Sequence, residues 1–181
     1  MLKIEIPGQE MYNEETNEFI TTKGAVLQLE HSLVSLSRWE SITHKPFLVE
    51  HPEKTEDEIR LYVQCMTITQ NVDPEVYKCL TKAQIKQVLD YIDDPMTATW
   101  FKNDNKKSVG NSSGEIVTSE YLYYLMIEMD IPPEYQKWHL NRLMTLMRII
   151  SVKSKNNSKM SRKDQMQQYS ALKAARRKPK V

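Results

Sequence analysis

The chain has 181 residues, 40% of them apolar, with 25 Lys/Arg set against 24 Asp/Glu. That length fits one domain with or without an appendage, and that apolar fraction builds an ordinary core, which excludes a globally disordered chain. The near-neutral total conceals a division: residues 153–181 hold ten Lys/Arg against the single acid Asp164, a net +9, while residues 1–152 hold 15 bases and 23 acids, a net −8. A basic tail on an acidic body is built to meet something anionic, whether nucleic acid, a membrane surface or an acidic protein face.

Along the chain, Leu2, Ile4 and Ile6 alternate, and Glu18–Thr22 is rich in strand formers. These predict two short strands separated by a polar turn from Pro7 to Asn17. Met1–Pro7 carries charge where a secretion signal is apolar, and no run approaches the roughly 18 apolar residues of a membrane span, so a cytosolic protein is expected. After Gly24, Val26, Leu29, Leu33 and Leu36 recur at helical spacing, with Glu30, Ser37 and Glu40 off that face; the helix should end before Lys45-Pro46. Thr55–Glu58 and Thr81–Gln84 are capping boxes, in which hydroxyl and side-chain acceptor each satisfy a backbone N–H at the helix start. They open helices with stripes Ile59, Tyr62, Val63, Met66 and Ile85, Val88, Leu89, Ile92, and Asp73-Pro74 starts a short turn between them. Met96–Phe101 and Glu115–Thr118 are candidate strands of a β-hairpin near 96–118, around a polar tip at Asn103–Gly114. Leu122, Leu125, Met126 and Met129 mark another helix. Pro133-Glu134 should start the longest apolar one, with Leu140, Leu143, Met144, Met147 and Ile150 on one face. Lys153–Lys159 reads as a polar linker. A helix over about Arg162–Arg177 follows, with only Met166, Tyr169 and Leu172 to bury, so it needs a surface to dock on.

Constellations for chemistry are sparse. Only four glycines occur, with no G-x-G-x-x-G and no P-loop pattern, which excludes nucleotide binding by those routes. His31, His44, His51 and His139 lack zinc-ligand spacing with each other or with Cys65 and Cys79, so no metal is expected. His31 is expected exposed on the polar side of its helix, and His139 packed and hydrogen-bonded. The cysteines read as reduced core residues. The carboxylate pairs fall at helix ends and turns, where the dipole or solvent accounts for them, and no nucleophile elbow is present. No catalytic residue and no cofactor is predicted. Met126, Met129, Met144 and Met147 read either as core filling or as an adaptable groove for a partner's apolar helix. Trp39, Trp100 and Trp138 are open between core and interface.

Several stretches carry a resemblance: Leu27–Ser41 with Lys45–Leu48, Tyr62–Thr67, Asp94–Trp100, Trp138–Arg148, Met160–Lys163 and Ala171–Arg177. They are similar to a family encoded in the tail-gene cluster of long-tailed phages and prophages, whose members include tail assembly chaperones. The likeness covers most of the chain after about residue 17. It implies a mostly helical, non-enzymatic late protein of the host cell cytoplasm that self-associates and binds the tape measure protein, keeping it soluble during tail morphogenesis. The family brings no catalytic motif.

The combined expectation is a mainly α protein. It has an acidic helical domain over 1–152 with a small N-terminal β element, and a basic linker and C-terminal helix over 153–181. Partner binding is assigned to Arg162, Lys163, Met166, Tyr169, Leu172, Lys173, Arg176 and Arg177, with Met144 and Met147. The expected partners are the tape measure protein and further copies of the chain. Nucleic-acid binding through the tail is the alternative, disfavoured because the −8 body repels a polyanion and only Tyr169 can stack on bases. A minor structural or connector role in the virion is the other. No membrane partner is expected.

Overall fold

The computed structural model describes residues 1–13, 17–49, 54–101 and 116–159, together with Met166 and Tyr169. The fold is mainly α with a small N-terminal β element. The chain divides into two compact units, Met1–Thr145 and Leu146–Val181.

The β element is larger than the sequence predicts. Strands β1 (Leu2–Ile6), β2 (Gln9–Asn13), β3 (Glu18–Thr22) and β4 (Ala25–Leu29) form two antiparallel pairs, β1 with β4 and β2 with β3. Leu2 stands opposite Leu29 and Ile6 opposite Ala25; after a break the register resumes with Gln9 opposite Thr22. The break is where Pro7-Gly8 meets Lys23-Gly24. A Cβ on Gly24 would lie 2.9 Å from the Gly8 backbone nitrogen, and one on Gly8 2.9 Å from the Thr22 carbonyl oxygen, so the two glycines let the backbones touch.

Two expectations fail here. Gln9–Asn13 is strand, not turn, and Ala25–Leu29 is strand, not the start of a helix. The helical spacing of Val26 and Leu29 is incidental: Leu27 and Leu29 are buried while Val26 and Gln28 are exposed, a period of two. Pairing with β1 supplies the backbone partners that decide between the readings.

Helix α1 (Leu33–Thr43) therefore starts late, at a box of two serines. Ser32 Oγ accepts from the Ser35 N–H at 3.3 Å, and Ser35 Oγ accepts from the Ser32 N–H at 2.8 Å. It ends at His44, whose φ of 55° is left-handed. Helices α2 (Glu56–Met66) and α3 (Lys82–Asp93) begin at the predicted Thr55 and Thr81 boxes, and Asp73 caps a 3-10 turn over Pro74–Cys79. The segments Met96–Phe101 and 116–118 belong to no strand, and the predicted hairpin tip lies outside the described residues. Asp94 Oδ1 accepts the Met96 N–H at 2.8 Å and Met96 adopts a left-handed φ of 50°, a local turn that withdraws this segment from pairing.

Helix α4 (Ser119–Glu128) is followed by a 3-10 turn over Pro133–Lys137 and by α5 (Leu140–Lys159). The expected helix from Pro133 is interrupted because His139 forms an antiparallel bridge with Ser32, and the Leu140 N–H donates to the His31 carbonyl at 2.7 Å. Asn141 then closes the end of α3, its amide donating to the Ile92 and Asp94 carbonyls at 2.8 Å each. The expected linker Lys153–Lys159 is helical backbone. It contains no proline or glycine to stop α5, and its polarity alone does not unwind a helix. In the first unit the core joins Ile4, Ile6, Leu27 and Leu29 of the β element to Leu33, Leu36 and Trp39 of α1. Tyr62, Val63 and Met66 of α2, Val88 of α3, Leu122 and Met126 of α4, and Leu140 and Leu143 complete it.

Candidate functional site

His31, at the centre of the first unit, was misread in the sequence. His31 is 2% exposed, not solvated. Its Nδ1 lies 2.5 Å from the Tyr62 hydroxyl, and its ring meets His139 edge-on at a centroid distance of 5.1 Å. His139 is packed and hydrogen-bonded as expected. Its Nε2 donates to the Tyr91 carbonyl at 3.0 Å, which leaves the lone pair on Nδ1, a buried atom without a hydrogen-bond partner among the described residues. Tyr91 crosses the His139 ring at 90°, and its hydroxyl donates to Glu30 Oε1 at 2.7 Å. Glu30 Oε2 lies 3.1 Å from the Met1 ammonium.

Burial, with a smaller contribution from the neighbouring His139, lowers the His31 pKa to about 3. Burial also lowers His139, opposed by its bond to the Tyr91 carbonyl and by the charges of Glu30 and Asp94. Burial raises both Tyr62 and Tyr91. At neutral pH all four groups are uncharged. Sealed from solvent, they tie α2, α3 and the His139 bridge to the end of β4.

Glu40, expected on the polar face of its helix, is also buried. Its carboxylate accepts the Phe47 N–H at 2.9 Å and the Ser119 N–H at 2.7 Å, so one side chain holds the loop after α1 and the first turn of α4. Trp39 is buried and donates from Nε1 to the Glu58 carbonyl, Trp100 is exposed, and Trp138 is half-buried between the Tyr135 ring and the Arg142 guanidinium.

A cleft of about 500 Å³ opens on the first unit, between the first half of α1 and the segment Thr67–Gln70. Its second wall is fixed by backbone pairing to β4: the Ile68 N–H donates to the Gln28 carbonyl at 2.8 Å and the Glu30 N–H to the Met66 carbonyl at 3.0 Å. Thr69 Oγ1 accepts the Gln28 N–H and donates to the Val26 carbonyl. Arg38 and Lys137 line the cleft together with Val34, Met66 and Ile68. Cys65 also lines it, with a thiol that burial pushes up against the weaker pull of Arg38, which keeps it protonated at neutral pH.

Of the predicted partner-binding residues, Met144, Met147, Met166 and Tyr169 are among the described residues. Met147 and Met126 are buried, and Met144 and Met129 are half-buried. Met166 and Tyr169 lie on helical backbone with 78% and 80% of their surface exposed. Arg162, Lys163, Leu172, Lys173, Arg176 and Arg177 lie outside the described residues. Among the described residues no group of three or more His, Cys, Asp or Glu is placed to hold a metal, and no helix is long and apolar enough to cross a membrane. The missed features share one trait: each is assembled from positions far apart in the chain. The only local signal was the Ser32–Ser35 pair, which marks the helix start and so takes His31 off the helix. Comparison with known proteins finds no family model, no characterised protein sequence and no solved structure that matches this chain.

Proposed function

We propose that this protein is a non-enzymatic tail assembly chaperone of a long-tailed phage, acting in the host cytoplasm, which self-associates and binds the tape measure protein. The observation that carries the reading is the exposure of Met166 and Tyr169 on helical backbone within the +9 segment of a chain whose remainder is −8. An apolar pair within a strongly basic segment suits an acidic protein surface carrying apolar side chains. Exposed Tyr124 and Ile127 on α4, beside Glu120 and Glu128, are a surface of that chemistry. The resemblance to the tail-cluster family supplies the biological setting.

Sedimentation velocity at low and high salt tests the self-association. Oligomers that dissociate as salt rises, and that are lost when residues 153–181 are deleted, support it; a monomer at every ionic strength overturns it. The same +9 charge keeps nucleic-acid binding as the second reading. A fluorescence titration with short DNA and RNA at low salt decides that: steeply salt-dependent binding favours it, and no binding at low salt removes it. A minor virion component is distinguished by the presence of the protein in purified particles.

A further inference from the structure

The geometry points to a binding site for a small organic anion with an apolar body in the cleft between α1 and Thr67–Gln70. Two cations, Arg38 and Lys137, line this cleft, and neither is in an ion pair with a described residue, although the unit around them is acidic. The acid at the cleft, Glu30, has its carboxylate engaged by the Tyr91 hydroxyl. Positive charge without a carboxylate partner among the described residues, in an acidic body, suits an anionic ligand.

The remaining walls define the rest of the ligand. Val34 and Arg38 are one helical turn apart on the same face of α1, so an apolar side chain and a guanidinium are stacked along one wall. Ile68 supplies apolar surface opposite and is half-exposed at 50%, a side chain that gains by being covered. The hydroxyls are already committed: Thr67 Oγ1 donates to the Val63 carbonyl, Thr69 to Val26, and Ser32 and Ser35 to the helix cap. The cations and the apolar side chains of the lining together fit an alkyl carboxylate or an alkyl phosphate. The first turn of α1 opens on the same cleft, and its dipole has the sign that favours an anion. A volume of about 500 Å³ lies within the range of small-molecule sites. The Thr67–Gln70 wall is held in place by its pairing with β4.

The test is calorimetric titration of the full chain with hexanoate, hexyl phosphate and hexan-1-ol. Saturable binding of one or both anions, one per chain, with no binding of the alcohol is expected; the two anions distinguish a carboxylate from a phosphate ligand. The double substitution Arg38→Gln, Lys137→Gln should weaken the anion by roughly tenfold or more with an unchanged melting curve, because neither side chain holds a described ion pair. Ile68→Asp should also abolish binding, by placing a negative charge in the apolar wall. Absence of binding to both anions, equal binding of hexan-1-ol, or undiminished affinity in the double variant overturns the assignment. None of these outcomes depends on chaperone activity.

Discussion

Acid should destabilise this protein well above the range in which carboxylates titrate, and His31 is the cause. Its folded pKa of about 3 lies far below the 6.5 of an exposed imidazole. Between those values the unfolded chain holds a proton that the folded chain does not. The stabilisation is thus complete above pH 6.5 and is lost as the pH falls towards 3. Each unit of pH in that window removes about 1.4 kcal/mol, so acidifying from pH 7 to 5 costs about 2 kcal/mol from this residue alone. His139 shifts in the same direction and adds to the loss. The rings packed around His31 are those of Tyr62 and Phe47, which are uncharged, and of His139, which would repel a second proton; among the described residues no carboxylate is bonded to the His31 ring to offset its burial. Urea denaturation at pH 7, 6 and 5 measures the slope directly. His31→Gln should be less stable than the native chain at pH 7, yet its stability should fall about 2 kcal/mol less between pH 7 and 5. A native stability that is flat over this range, or a variant with the native slope, would refute the reasoning.

Glu40→Ala leaves two buried backbone N–H groups, those of Phe47 and Ser119, without their acceptor. A loss of about 2–5 kcal/mol in the free energy of unfolding measured by urea denaturation is expected, and Glu40→Gln, which keeps one acceptor, should lose less. Gly24→Ala pushes a methyl to 2.9 Å from the Gly8 backbone, where no side chain can give way, and should lose about 1–3 kcal/mol by the same assay. Alanine at exposed Val26, two residues on in β4, is the control and should change stability by no more than about 0.5 kcal/mol.

The parts of the fold that follow from neighbouring residues were legible in the sequence. Helices α2 and α3 begin where a Thr hydroxyl and a Glu or Gln three residues on can close a capping box, and both ends of that exchange are visible in four letters. What the sequence hid depends on distant partners. Strand β4 carries a spacing that also suits a helix, and only its pairing with Leu2–Ile6, at the other end of the β element, selects the strand. His31 could be recognised as buried only by knowing that Tyr62 and His139 close over it, and Glu40 only by knowing that the start of α4 comes to its carboxylate. The cleft likewise combines α1 with Lys137, which the sequence places on an unrelated helix start. The methionine stripe was ambiguous for a different reason: apolar residues at helical spacing face a core or a partner equally well, and burial alone separates Met147 from Met166.

The chaperone reading stands or falls on co-expression of the full chain, and of a form lacking residues 153–181, with the tape measure protein from the same gene cluster. The account predicts that the full chain keeps the tape measure protein in the soluble fraction and co-purifies with it at low salt, and that the shortened form does so poorly. A tape measure protein that stays insoluble with the full chain, or that is rescued equally by both forms, would contradict it.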